Sequence, residues 1–282
     1  LAPRHSQSPV EPPPSFRPSK RFGQNFLTDQ SVIQRIVSAL DPRAAETIVE
    51  IGPGKGALTS LLLQRAATVV AIEFDRTLIP VLTEQFKTKA NFRLIESDAL
   101  TVNFSEAIQP AQTARLVANL PYNVATAILQ RLIEQRAWIP EMVVMLQKEV
   151  VDRITAEPGS ADRGYLSVFV QTYCETEKLF DVAPGSFRPA PKIWSTVIRL
   201  EARTTPAIAV KDEKLLWQLV SAGFAQRRKT ILNNLRNAPE PLQETVKRHG
   251  GASIILCEAE IDLQRRAETL TLEEWGRIVR VL

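Results

Sequence analysis

The sequence predicts an α/β protein: a mainly parallel sheet covered by helices and finished by an antiparallel last strand, followed by a small all-helical C-terminal domain. Three observations predict it. Short apolar runs alternate with amphipathic stretches from Thr47 to about Leu200, the pattern of a parallel sheet covered on both faces. A glycine turn, Gly52-Pro53-Gly54-Lys55-Gly56, follows the first run, which suits a ligand-binding turn at the carboxyl end of a strand. Beyond Arg203 the strand signal disappears and helical patterns remain.

The elements follow in order. Residues 1–19 are rich in proline, from Pro3 to Pro18, and lack an apolar run. They read as a disordered tail, not a signal peptide; Arg4 and Arg17 look weakly transit-like, against which stand Glu11 and the prolines. Residues 20–203 read as the sheet-bearing domain and 204–282 as the helical one, divided at Thr204-Thr205-Pro206. Short apolar runs predict strands over Thr47–Ile51, Thr68–Ile72, Phe92–Ile95, Arg115–Ala118 and Met142–Gln147. Helical periodicity predicts helices over Leu58–Arg65, Leu78–Lys87, Ala125–Gln135 and Glu149–Thr155. Glu175–Val182 and Thr196–Leu200 are expected to be antiparallel, since the proline- and glycine-rich loop between them leaves no room for a crossover helix. The second domain is expected to hold helices over Lys211–Phe224, Lys229–Arg236, Leu242–His249 and Leu272–Leu282. Thr271-Leu272-Glu273-Glu274 has capping-box spacing and marks the last start.

Composition narrows the class. Hydrophobic residues at 44% and charged residues at 23% of 282 describe an ordinary globular chain. No apolar run approaches the roughly 20 residues that cross a bilayer. A net charge of +4 is compatible with a polyanionic partner without requiring one. Cys174 and Cys257 lie far apart, and His5 and His249 are the two histidines. Free thiols in a reducing cytoplasm are expected, and no metal centre.

The glycine turn by itself is ambiguous. Gly52, Gly54 and Ala57 satisfy the looser dinucleotide fingerprint, and Glu73 lies where a ribose-binding acid would. Two residues favour S-adenosylmethionine over NAD. Glu50 precedes the turn, where it either orders the loop or faces the ligand's ammonium; Asp98, after the third strand, is placed to accept from the cofactor's adenine amine.

Asn119-Leu120-Pro121-Tyr122 follows another apolar run. An amide, a stiffened carbonyl-bearing turn and an aromatic ring at a strand end are what capturing a flipped, amine-bearing base requires. An adenine amine is a poor nucleophile because its lone pair is delocalised. Acceptors that hold its hydrogens out of the ring plane localise that pair and aim it at a methyl donor. The Asn119 side-chain oxygen and the Leu120 carbonyl are the expected acceptors, and Tyr122 the stacking face. Phe187, in Phe187-Arg188-Pro189-Ala190-Pro191, either closes on the other face of the base or packs in the core.

These motifs together resemble the family of ribosomal RNA adenine dimethyltransferases, from Lys20 almost to the C-terminus. The matching segments are Arg21 to Leu27, Glu50 to Thr59, Ala71 to Asp75, Asp98, Asn119 to Asn123 and Phe187 to Pro191; Arg227 to Leu232 resembles the family's basic element. The resemblance implies a class I S-adenosylmethionine-dependent methyltransferase sheet, a helical rRNA-binding domain, and transfer of four methyl groups to two adjacent adenosines near the 3′ end of 16S rRNA. The implied partner is an immature small ribosomal subunit, met by a cytoplasmic monomer. Carried over by motif, Asn25, Leu27, Gly52, Glu73, Asp98 and Asn119 line the cofactor site. Asn119, Leu120 and Tyr122 hold the adenine, with Phe187 opposite. Arg227, Arg228 and Lys229 form the expected rRNA phosphate footprint. The alternatives are a 23S rRNA methylase of the antibiotic-resistance type and a non-catalytic assembly or transcription factor.

Overall fold

Apolar, β-branched runs form the centre of the sheet. The computed structural model describes residues 25–282; the proline-rich tail, His5 and Arg21 to Gln24 lie outside the described residues. The first half runs β1 (Phe26–Leu27), α1 (Gln30–Leu40), β2 (Thr47–Ile51), α2 (Ala57–Leu62), β3 (Thr68–Glu73), α3 (Ile79–Phe86), β4 (Phe92–Glu96), α4 (Phe104–Ala107), β5 (Arg115–Asn119), α5 (Ala125–Glu134) and β6 (Glu141–Gln147). There follow α6 (Lys148–Ile154), α7 (Tyr165–Tyr173), β7 (Cys174–Val182), β8 (Phe187–Arg188) and β9 (Ser195–Ala202). The helical region holds α8 (Glu213–Gly223), α9 (Ile231–Arg236), α10 (Leu242–Arg248), α11 (Ala252–Glu258) and α12 (Leu272–Val281).

Seven strands form one sheet in the order β4-β3-β2-β5-β6-β9-β7. Parallel pairing joins β4, β3, β2, β5 and β6, while β9 is antiparallel to both β6 and β7. The expected antiparallel pair is present, but β9 inserts between β6 and the edge strand β7. The strand order reverses at β2 and β5, and a crevice opens there at the carboxyl ends of the strands, as in open α/β sheets. One apolar cluster covers each face, with Val49, Leu116 and Val144 on one and Ile48, Val117 and Val143 on the other.

The sequence reading assigns no element to α1, α4, α7, α11 or the short β1–β8 ribbon. Helix α1 has a readable basis: Val32, Ile33, Ile36, Val37 and Leu40 are buried at helical spacing, and Asp29 caps Ser31 and Val32. Helix α9 begins at Ile231, two residues later than expected, because the Thr230 side chain accepts from Asn233 N. The capping box at α12 forms: Glu274 N donates to Thr271 Oγ1 at 3.1 Å, and Thr271 N to Glu274 Oε2 at 2.8 Å.

A third apolar cluster, which includes the fully buried Trp275, fills the helical region and takes in Val168 of α7. That region packs on α7 through aromatic contacts. Phe169 and Tyr173 lie 5.0 and 5.7 Å from the Trp217 ring. Trp217 Nε1 donates to Tyr173 Oη, which donates to Glu213 Oε2. The chain stays docked past residue 204, with Ala207 N bonding Thr172 O at 2.8 Å. Cys174 is buried and Cys257 exposed, both as free thiols.

Candidate active site

Four strand ends converge on an open cleft of about 310 Å³. Gly52 follows β2, Glu73 ends β3, Asp98 follows β4 and Asn119 ends β5, and all four line it. The glycine turn needs its composition. Gly56 has φ +76°, and a Cβ there would meet the Phe86 ring at 2.7 Å; Gly54 has φ +60°, and a Cβ there would meet the Phe26 ring at 3.0 Å.

Glu73 is nearly buried and accepts three backbone N–H groups: Gly54 at 3.3 Å, Phe74 at 2.9 Å and Asp75 at 2.8 Å. Burial pushes its carboxyl above the ordinary range, and the three donors pull it back. One residue thus ties the glycine turn to β3 while presenting an acid to the cleft. Asp98 accepts from Leu100 N through Oδ1 at 2.9 Å. Between these acids the wall is apolar, formed by Ile72, Ala99 and Leu100, with Phe74 56% exposed beside them. Sequence reasoning gave Phe74 no role of its own. The available signal was an aromatic directly after the ribose-type acid.

Of the two expectations for Glu50, the structure shows the ordering one. Its Oε2 accepts from Thr59 Oγ1 at 2.6 Å and fastens α2 to β2. Desolvation, with the Glu73 charge adding to it, pushes the Glu50 carboxyl up to about 7.

At the other end of the cleft, Asn119 Nδ2 donates to the Asn25 carbonyl at 3.3 Å. That leaves the amide oxygen as the acceptor side. Leu120, Pro121 and Tyr122 line the cleft beside it. Tyr122 Oη lies 2.7 Å from Ser195 Oγ on β9. Burial raises the Tyr122 hydroxyl above its ordinary value, so it stays neutral and serves as a ring and a hydrogen-bond partner.

Three expected residues sit elsewhere. Phe187 does not line the cleft; it is fully buried, pairs with Leu27 in the β1–β8 ribbon, and belongs to the core with Val182 and Val197. Of its two readings, core packing describes this structure, because the ribbon holds the ring against apolar neighbours. Leu27 is itself buried and lines a smaller adjoining recess with Gly52, Glu50 and Asn119. Arg227 is turned towards the sheet-bearing domain: its guanidinium donates to the carbonyls of Ala161 and Arg163. Arg228 and Lys229 are exposed in the turn before α9. Among the described residues no group of His, Cys, Asp and Glu could hold a metal, and no helix is long and apolar enough to cross a membrane.

The family model described as ribosomal RNA adenine dimethylase matches residues 15–277. Ribosomal RNA small subunit methyltransferase A of Hahella chejuensis is 45% identical over 259 residues, 92% of this chain and 90% of that protein. Its namesake in Saccharophagus degradans is 43% identical and spans 97% of both chains. Among solved structures, a dimethyladenosine transferase from Plasmodium falciparum aligns with TM-score 0.72 at 22% identity, over 89% of this chain and 95% of that one. The 23S rRNA methyltransferase ErmE aligns with TM-score 0.67 at 25% identity, over 92% and 99%. The fold is that of class I methyltransferases.

Proposed function

Because the chain belongs to the ribosomal RNA adenine dimethylase family, it is an rRNA adenine methyltransferase, and we propose how its residues carry that activity. The reaction dimethylates the 6-amino groups of two adjacent adenosines in the 3′-terminal hairpin of 16S rRNA. The observation that carries the reading is the Asn119 amide: its nitrogen is committed to Asn25 and its oxygen stands beside the Leu120-Pro121-Tyr122 turn.

The cleft fits S-adenosylmethionine. Glu73 suits the ribose hydroxyls, Asp98 with the Ile72, Ala99 and Leu100 wall suits the adenine, and the backbone of Asn25 and Gly52 suits the amino-acid end. When bound, that cofactor supplies an electrophilic methyl group. The protein residues then act on the target base. Tyr122 offers a ring face to the flipped adenine. The Asn119 oxygen and the Leu120 carbonyl accept the two amine hydrogens, which holds them out of plane and aims the lone pair. Each transfer forms an N–C bond as the sulfonium–methyl bond breaks, leaves a neutral thioether and releases one amine proton to solvent. After the first transfer one hydrogen remains, so a single acceptor orients the second.

In this reading residues 20–203 form the catalytic domain and 204–282 the rRNA-binding one, with Arg228 and Lys229 towards phosphates. The natural substrate is an immature small subunit, met by a cytoplasmic monomer. The test is labelled-methyl transfer to immature small subunits, mature small subunits and large subunits. Labelling of immature small subunits alone is expected. Labelling of large subunits instead would favour the second reading, a 23S methylase, to which the likeness to ErmE gives some weight; the relatives at 41–45% identity are named for the small subunit.

A further inference from the structure

The segment between β8 and β9 carries two exposed hydrophobic side chains at the edge of the cleft. Ile193 is 39% and Trp194 51% exposed, although Ser195 and Thr196, the next two residues, are fully buried. A tryptophan left half in water forfeits much of the contribution it makes when buried. The fold's own packing therefore does not account for an indole here. Its backbone is nonetheless anchored, since Lys148 N donates to the Trp194 carbonyl at 3.0 Å.

The position is specific. Ser195, the following residue, holds Tyr122 Oη at 2.7 Å, and Tyr122 lines the cleft. Adjacent Cα atoms are about 3.8 Å apart, so the indole is rooted one residue from the group that fixes the tyrosine. Strand β9 begins opposite Gln147, the last residue of β6. Trp194 thus lies on the carboxyl edge of the parallel strands, where the cleft opens. Lys192, on the same segment, is an exposed cation, and Arg188, exposed at the end of β8, donates to the carbonyls of Gly185 and Phe187; neighbouring Lys148 is paired with Asp181 at 2.9 Å. An exposed aromatic flanked by cations beside a base pocket is the combination that grips unpaired nucleic acid, by stacking and phosphate neutralisation.

We infer that Trp194 stacks on the unpaired nucleobase adjoining the target adenine, with Lys192 against the phosphate beside it. The inference rests on the reading of this chain as an rRNA adenine methyltransferase. Extruding one base strips its neighbour of a stacking partner, and the indole replaces that partner. With two adjacent adenosines as substrates, the residue parks one while the other occupies the site at Asn119. Trp194 is then a positioning residue for the RNA and has no part in holding the cofactor.

The test compares wild type, Trp194→Ala and Trp194→Phe on immature small subunits. Trp194→Ala is expected to raise KM for the subunit by about 5- to 150-fold, the effect of losing one base–aromatic stack. Its kcat should stay within a few-fold, with melting temperature and S-adenosylmethionine affinity unchanged. Trp194→Phe, which keeps a ring face, should restore most of the loss. Independently of turnover, the emission that Trp194→Phe removes should be quenched when a single-stranded RNA carrying two adjacent adenosines binds. An unchanged KM in Trp194→Ala, or unquenched Trp194 emission with RNA bound, overturns the inference. Failure of wild type to methylate any subunit strikes the parent reading instead, and the fluorescence titration still decides the role of Trp194.

Discussion

Tyr122 and Ser195 are hydrogen-bonded at 2.7 Å across 73 residues of chain, which pins the aromatic ring of the β5 turn to the inserted antiparallel strand. The Tyr122 ring, which lines the cleft, is therefore positioned by β9, not by its own turn alone. Ser195→Ala removes the partner of a half-buried hydroxyl and should cost about 1–3 kcal/mol of stability. It should also lower kcat/KM several-fold with little change in cofactor affinity. Denaturant titration and steady-state kinetics on the same preparation check this; loss of cofactor affinity equal to the loss of activity would contradict it.

Asn119→Ala should lower the single-turnover methylation rate, at saturating cofactor and RNA, by on the order of a hundredfold or more, as for loss of one preorganised hydrogen bond. The Asn119 nitrogen also holds Asn25, so some loss of cofactor affinity is expected as well. If the maximal rate stays within a few-fold of wild type and only affinity falls, Asn119 is a binding residue.

Glu50 makes stability depend on pH. Its folded carboxyl is raised from the ordinary 4.5 to about 7, first by burial. Between those values the unfolded chain has released a proton that the folded chain keeps, so stability falls as pH rises through the window. The drop is on the order of 3 kcal/mol at most, from the size of the shift. Glu50→Gln keeps an acceptor for Thr59 and should flatten the slope. Urea unfolding of both proteins at pH 5 and pH 8 measures it, and parallel changes in the two would remove Glu50 as the source.

The basic turn before α9 should divide by function. Replacing Arg228 and Lys229 with Ala should weaken rRNA binding and reduce the slope of log affinity against log salt by up to about 2. Arg227→Ala should leave that slope unchanged and loosen the contact with Ala161 and Arg163, seen as a lower melting temperature. A full salt effect from Arg227→Ala would return it to the phosphate footprint.

Local chemistry made much of this protein legible in its sequence. A glycine turn after an apolar run, an acid at the end of the next strand and Asn119-Leu120-Pro121-Tyr122 after another are features that spacing alone places at strand ends. The parallel pairing of strands β2 to β6 followed from the same alternation, because apolar runs separated by helices call for crossover connections and a sheet covered on both faces. The capping box at Thr271 needed four residues only.

Tertiary contacts decided the rest. Phe187 had two readings in sequence, and its pairing with Leu27 in a two-stranded ribbon 160 residues from its partner puts the ring in the core. Arg227 reads like its neighbours Arg228 and Lys229, yet carbonyls of a distant loop claim it. The insertion of β9 between β6 and β7 has no local signature, and it brings Ser195 to Tyr122 and Trp194 to the cleft edge. Sequence determines what each residue can do over a turn or a strand. Which partner satisfies a buried donor or covers an apolar ring depends on segments far along the chain, and packing alone brings those together.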